Sequence, residues 1–482
     1  MTPRFLLPTL AAGIITTPLT IAAQQDQNDK RHPNIVLIVA DDLGYGDLSC
    51  YGQQKFSTPN IDFLARNGIR FTQAYAGTTV SAPSRACLLT GLHSGHAPVR
   101  GNIEVRPEGQ FPLPSGLPNI FTLLRQAGYV TGAFGKWGLG APGTSGDPTR
   151  QGVDKFFGYN CQLLAHNYYP DHLWDDSTRF PLPENDNGSY GTYAQDLIQQ
   201  QALKFIRSHK DSTFFLFIPY VLPHAELIVP EDSIIQRFRG TFPETPYHGC
   251  DSGPYFRKGG YSSQSHPRAT FAAMVSRLDA YVGQVVNELS SLGLLDNTLV
   301  IFTSDNGPHR EGGADPDFFD SNSIFRGYKR DLYEGGIRIP FIAFWRGTIS
   351  PRTTDHVCTF WDIFPTLAEL TGTQTSPSDG ISFLPSLTGH GQQHRHSYLY
   401  FEFHEEGGKQ AVRQGDWKLI HLNASAPNGG SWELYNLADD PSESDNLIDS
   451  HSQKAAALKR LMLDAHAPDS QWPLLPQERT SP

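Results

Sequence analysis

Two runs of apolar residues frame the chain. Asn34 to Ala40 reads Asn-Ile-Val-Leu-Ile-Val-Ala, and Phe214 to Tyr220 reads Phe-Phe-Leu-Phe-Ile-Pro-Tyr. Neither run alternates, so each predicts a strand buried on both faces, as in a parallel sheet. Thr298 to Thr303 repeats the pattern and runs into Ser304-Asp305-Asn306-Gly307. Between these runs the period changes. Asn60 to Gly68 predicts a helix closed by Gly68, with a strand following over Ile69 to Tyr75. Ile120 to Ala127 predicts a helix, Tyr129 to Phe134 a strand, and Ala272 to Leu292 a long helix. The alternation argues for a doubly wound α/β core. After Pro385 the texture shifts. Ser397 to Phe403, Ala411 to Val412, Trp417 to Leu422 and Trp432 to Tyr435 predict short strands, and a helix follows from about Gln453 to Ala465. Residues from about Asp175 to Thr192 predict a surface loop. The expected organisation is an α/β domain over 33–395 and a smaller α+β domain over 396–482.

Composition narrows the class. With 482 residues the chain can bury a large core, and its net charge of -11 with no basic run argues against a nucleic-acid partner. Any anion site must therefore be built locally. Arg4, the apolar stretch Phe5 to Ile21 and the small Ala22-Ala23 read as a signal peptide over 1–23, which implies a periplasmic or secreted protein. A membrane anchor is the competing reading, but Pro8, Gly13 and Pro18 interrupt the run, and no later segment is apolar enough to span a bilayer. The five cysteines are scattered without a CxxC pair, which predicts mostly free or buried thiols.

The chemistry concentrates after strand ends. Asp41-Asp42 follows the first apolar run and Asp305-Asn306 follows the third. In open α/β sheets that edge binds ligands. Each residue alone could cap a turn, but four hard oxygen donors at one sheet edge suit Ca²⁺, or less well Mg²⁺. Ser81-Ala-Pro83-Ser84-Arg85-Ala-Cys87-Leu-Leu-Thr90-Gly91 predicts a helix start at Pro83. Ser81 then lies at the positive end of that helix, as an anion site or simply as an N-cap.

That segment resembles the sulfatase family signature: Cys or Ser, any residue, Pro, Ser, Arg, then Thr-Gly. The resemblance implies an alkaline-phosphatase-like fold, a large mixed sheet flanked by helices with a smaller C-terminal α+β domain. It makes Ser81 the residue converted to formylglycine, by a serine-type maturase, and Arg85 its stabiliser. An aldehyde hydrate explains the conversion: one hydroxyl attacks sulfur and the other expels sulfate, where a plain serine would be left sulfated. The resemblance also implies one divalent cation held by Asp41, Asp42, Asp305 and Asn306 together with residue 81. Phe134-Gly-Lys136-Trp137-Gly138-Leu-Gly140 is similar to the family's Gly-Lys-Trp-His-Leu-Gly segment, so Lys136 would contact sulfate. The chain departs at Gly138, where the family has His, which puts the proton route in doubt. Pro223-His224 resembles the motif whose His lies by the leaving oxygen and makes His224 the candidate general acid. Tyr328-Lys329-Arg330 with Glu334-Gly335-Gly336-Ile337-Arg338 resembles the block carrying a second sulfate-binding lysine, Lys329.

The expected substrate is a sulfated saccharide, with His166, His309, Arg310 and Arg326 as candidate contacts beside aromatics such as Tyr169 and Trp174. The favoured substrate is a galactose or N-acetylgalactosamine 4-sulfate, attacked in exo fashion. Two alternatives remain at this point. One is a phosphatase or phosphonate hydrolase of the same superfamily, against which the Ser-x-Pro-Ser-Arg segment and the lack of a zinc-binding set argue. The other is a glycan-binding protein that has lost catalysis, to which Gly138 lends weight.

Overall fold

A computed structural model describes Met1 and residues 32–479; the signal-peptide segment lies outside the described residues. The strand at the centre is β1, Asn34–Ala40, and all seven of its residues are buried. It is flanked in parallel by β7, Phe214–Pro219, and β8, Thr298–Ser304. The remaining strands of this sheet are β2 (Ile69–Tyr75), β3 (Val130–Lys136), β4 (Lys155–Tyr159), β5 (His172–Asp175), β6 (Thr178–Pro181), β9 (Arg338–Phe344) and β10 (Arg352–Thr359). The order is β10-β2-β9-β8-β1-β7-β3-β4-β5-β6. The sheet is mixed, because β9 runs antiparallel to both β2 and β8 and the β5–β6 hairpin is antiparallel to β4.

Alternate residues of β1 point into different layers. Val36, Ile38 and Ala40 pack with helices Ala194–Ser208 and Pro267–Ser291. Ile35, Leu37 and Val39 pack with helices Ser81–Thr90, Ile120–Gln126 and Ile363–Thr371. Helices thus cover both faces, and the polar residues that follow β1, β3, β7 and β8 all collect at one sheet edge.

A second sheet runs β11-β12-β13-β14, antiparallel throughout: Leu399–Phe403, Lys409–Gln414, Trp417–Leu422 and Ser431–Asn436. One of its faces packs on Tyr75, Val80, Ile337 and Trp361 of the main body, and the other on helix Ser452–Ala465. Part of the expected 175–192 loop is strand β6, which extends the main sheet at its edge. Three of its four residues are exposed, so no apolar rhythm marks it. All five cysteines are free thiols. Among the described residues no helix is long and apolar enough to cross a membrane.

Candidate functional site

The site begins where β1 ends. Asp41 and Asp42 follow Ala40, and Asp42 adopts φ 61. Asp305 continues the ladder, its N–H donating to the Ala40 carbonyl at 3.0 Å, while Asp42 N–H donates to Asp305 Oδ1 at 3.0 Å. The two polar pairs are therefore locked together through backbone N–H groups, and all three carboxylates are fully buried.

The signature helix Ser81–Thr90 docks its first turn on this edge. Ser84 Oγ donates to the Asp305 carbonyl at 2.6 Å and accepts from Gly77 N–H at 3.0 Å. Arg85, 1 % exposed, grips Asp305 Oδ2 from Nε at 3.2 Å and Nη2 at 3.1 Å, and donates to the Lys136 carbonyl from Nη1. Ser81 does not cap the helix. Its hydroxyl donates to Asp41 Oδ1 at 2.9 Å.

Two lysines close the upper side. Lys136 Nζ donates to Asp41 Oδ2 at 2.5 Å. Lys329 Nζ donates to Asp42 Oδ2 at 2.8 Å, to Glu311 Oε2 at 3.2 Å and towards His224 Nε2 at 3.0 Å. His224 Nδ1 faces the Ala225 carbonyl and donates to it. His224 Nε2 therefore carries the lone pair, and Lys329 carries the proton between them. Burial, followed by the charge of Lys329, pushes the His224 imidazolium down to about 4, so the ring is neutral at pH 7.

The donor set fits a cation. Burial and the neighbouring Asp41 push Asp305 up to about 7, against the pull of Arg85. Burial works on Asp41 as well, yet Lys136, then His224 and Arg85, hold it well below the ordinary carboxylate range. Asn306 Nδ2 donates to Asp42 Oδ1 at 2.6 Å, and Asn306 Oδ1 is buried with no hydrogen-bond partner. A buried unpaired acceptor beside three crowded carboxylates is what a hard divalent ion would relieve.

The structure brings together Ser81, Arg85, Lys136, His224 and Lys329 with Asp41, Asp42, Asp305 and Asn306. His166 and His309 stack on either side of His224, at 5.1 and 5.5 Å between ring centroids. His309 has both nitrogens engaged, Nε2 with the Pro223 carbonyl at 3.1 Å and Nδ1 with Glu311 N–H at 3.1 Å, so it supports His224 and offers substrate no free nitrogen. Two expected substrate contacts do not join the cluster. Arg310 is exposed, pairs with Asp317 at 2.8 Å and lies over Tyr328. Arg326 reaches the other way, to Tyr435 Oη at 3.1 Å and the Glu443 carbonyl at 2.8 Å. Arg338 likewise serves the fold, bonding Glu334 and the Thr72 carbonyl.

Gly138 has φ +70, and a Cβ there would lie 2.6 Å from Gln162 Nε2. The left-handed backbone favours glycine at this position, and a longer side chain would have to displace the end of Gln162. Sequence reasoning missed Glu311 and Tyr261. Glu311 Oε2 accepts from Tyr261 Oη at 2.8 Å and lies 3.5 Å from His224 Nε2, while Oε1 accepts from Arg330. Glu311 stands two residues past His309 on the loop after Asp305-Asn306, a usable signal; Tyr261 carried none.

Comparison with known proteins fits this geometry. The sulfatase family model matches residues 33–373, and a model described as N-sulphoglucosamine sulphohydrolase, C-terminal, matches 325–466. Human arylsulfatase A is 33% identical over 479 residues, covering 92% of this chain and 87% of that protein. An N-acetylgalactosamine-6-O-sulfatase of Bacteroides thetaiotaomicron is 30% identical, covering 95% of this chain and 98% of that one. A solved structure of Ps i-CgsB in complex with k-i-k-neocarrahexaose superposes with a TM-score of 0.76 at 27% identity, over 93% of this chain and 96% of that one. The chain belongs to the sulfatase family, with its alkaline-phosphatase-like fold, and is a sulfuric ester hydrolase.

Proposed function

We propose that the protein removes sulfate esters from a carbohydrate, with residue 81 acting as formylglycine and a Ca²⁺ ion held by Asp41, Asp42, Asp305 and Asn306. The observation that carries this reading is the Ser81 hydroxyl, buried at the head of the signature helix, spent on Asp41 instead of on a cap, with Lys136 and Lys329 at the same two carboxylates. Oxidised and hydrated, residue 81 would supply a nucleophile with a built-in release step, and the cation would polarise the sulfate and favour ionisation of the hydrate.

The chain's own residues do the rest. Asp41 accepts the hydrogen bond of residue 81 and orients its oxygen toward the site. Arg85 and Lys136 set positive charge under the sulfate position. His224 and Lys329 share one proton at the Nε2 edge, so protonation of the leaving oxygen is assigned to this pair. Residues 1–23 are proposed to direct export, and a serine-type maturase to convert Ser81.

The substrate is proposed to be a galactose or N-acetylgalactosamine sulfate. Position 4 is the sequence-based choice. The names of relatives such as N-acetylgalactosamine-6-O-sulfatase support position 6 as the second reading. The test is protein co-expressed with a serine-type maturase. The peptide carrying Ser81 should be lighter by about two hydrogens, the loss on oxidation of an alcohol to the aldehyde of a covalent catalyst. A panel of 4- and 6-sulfated galactose and N-acetylgalactosamine then fixes the position. Full activity with an unmodified serine overturns the reading.

A further inference from the structure

An open cleft of about 1140 Å³ adjoins the site, with His166 as the point where the two meet. His166 stacks on His224 at 5.1 Å, so whatever fills the cleft continues directly from the leaving-group side of the sulfate position. Pockets that enclose one drug-sized ligand run to about 300–1,000 Å³, so this volume exceeds the need of a single sugar ring.

The rim is unusual in two independent ways. First, it carries three cations that no carboxylate holds among the described residues. Arg106 and Lys258 line the cleft, are exposed, and form no ion pair or hydrogen bond through their side chains among the described residues. Arg257, between Lys258 and Phe256, donates from Nη1 to the Ser189 carbonyl, while its Nε and Nη2 are buried and unpartnered. Second, exposed apolar residues gather here. Tyr255 is 69 % exposed and lines the cleft; Tyr190, 56 % exposed, lies over Arg257 at 4.1 Å; Ile103 and Val105 flank Glu104 and Arg106. Among the described residues from His32 onward the other exposed large apolar side chains are Ile324 and Leu463. Exposed aromatics beside free cations form a surface for a flat ring that carries its own charge.

We infer that this cleft binds a second sugar residue of the substrate, one that bears an anionic group of its own, with Tyr255 as the stacking face, Lys258 and Arg106 as the anion contacts and the charge of Arg257 behind them. The anion is a second sulfate ester or a uronate carboxylate. Glu104 and Asp186, also on the cleft wall, accept hydrogen bonds from sugar hydroxyls. The inference rests on the sulfated-carbohydrate reading of the main site and extends it: the preferred substrate is a polyanionic oligosaccharide, not a singly sulfated monosaccharide.

The test uses the matured full chain and four substrates: nitrophenyl sulfate, a sulfated monosaccharide, and two oligosaccharides carrying either a second sulfate or a uronate beside the cleaved ester. The wild-type protein should prefer one oligosaccharide over the monosaccharide by at least about tenfold in kcat/KM, mostly through KM, with the preference shrinking as salt rises. Which oligosaccharide is preferred identifies the anion. Lys258→Ala and Tyr255→Ala should each erase most of that preference, and their loss on the oligosaccharide should exceed that on nitrophenyl sulfate by at least about tenfold. Equal turnover of monosaccharide and both oligosaccharides by the wild type overturns the inference. So does a variant that loses the same factor on nitrophenyl sulfate, since damage to the fold acts on every substrate. Nitrophenyl sulfate carries no second sugar to place in the cleft. If it too is not hydrolysed by protein carrying the converted residue 81, the reading of the main site fails, and this inference with it.

Discussion

Two buried clusters of charge lie in this molecule, and they are built to different ends. One joins the two sheets. Lys418 Nζ sits 2.9 Å from Glu334 Oε1 and 2.9 Å from Glu443 Oε1; Glu334 Oε2 accepts from Tyr75 Oη and from Arg338 at 3.3 Å; Glu443 Oε2 accepts from Glu334 N–H at 2.6 Å. Three of the four carboxylate oxygens accept a hydrogen bond, and the fourth, Glu443 Oε1, is left with its ion pair to Lys418 alone. The other cluster, at the ends of β1 and β8, is as deeply buried and as highly charged, yet it leaves Asn306 Oδ1 without a partner and turns Ser81 away from its helix. Each cluster leaves one acceptor without a hydrogen bond, but in the joint it is a carboxylate oxygen paired with a lysine, and in the site it is the amide oxygen of Asn306 beside three carboxylates. Burial and charge alone do not distinguish the two; what the unspent atom faces does.

The comparison breaks most sharply at Lys418. Lys418→Met leaves Glu334 and Glu443 facing each other without the ammonium. Burial and Glu334 already push Glu443 up to about 7, so one carboxyl would take up a proton. Removing one member of a buried ion network costs about 3–5 kcal/mol. Chemical denaturation should show that loss, while turnover per folded molecule stays near wild type. A loss under about 1 kcal/mol would mean the joint is not held by its charges.

On the catalytic side, the corresponding change is His224→Ala. A sugar alkoxide is a poor leaving group and needs a proton, whereas nitrophenolate does not. The variant should lose about 10² more in kcat/KM on a sulfated sugar than on nitrophenyl sulfate. Equal losses on the two substrates would assign His224 to positioning of sulfate or nucleophile. The third test asks whether the unpaired acceptor marks a cation site. Ca²⁺ at ten times its Kd should add about 1.4 kcal/mol to the stability of the wild-type protein, read as an upward shift in melting temperature. Asn306→Ala should weaken that response. An unchanged response in the variant would place the ion elsewhere.

What could be read from the sequence follows the locality of the signal. The strand ends were legible because Asp41-Asp42 and Asp305-Asn306 each adjoin an apolar run whose burial is written into its own residues. The signature helix was legible because all its working residues fall within one short segment. Tyr261 and Lys418 were not, since their partners lie far along the chain and no local pattern announces them; Glu311, whose lysine lies 18 residues on, had only its place just after His309 to mark it. Adjacency also misled. Arg310 and Arg326 sit next to working residues in sequence but are held elsewhere by Asp317 and by Tyr435. Strand β6 was hidden for a different reason: an exposed edge strand buries no face, so its hydrophobic period vanishes.

Glu311 gives the finest test, because it stands between the two kinds of cluster. Its charge is saturated by Lys329 and Arg330, as in the joint, yet its Oε2 lies 3.5 Å from His224 Nε2, as in the site. Burial would raise its carboxyl, but Lys329, then His224, His309 and Arg330, hold it far below the ordinary range, so it is ionised at every pH at which the enzyme would be assayed. Glu311→Gln keeps the volume and the acceptor for Tyr261 and removes only the charge. Lys329 would then be balanced by Asp42 alone. If Glu311 positions Lys329, kcat should fall by about tenfold on both sugar and aryl sulfates, with KM nearly constant. If instead it binds a sugar hydroxyl, KM for the sugar should rise while nitrophenyl sulfate is spared. No change in either constant would class Glu311 with the joint, as a group that holds the loop after β8 in place and takes no part in turnover.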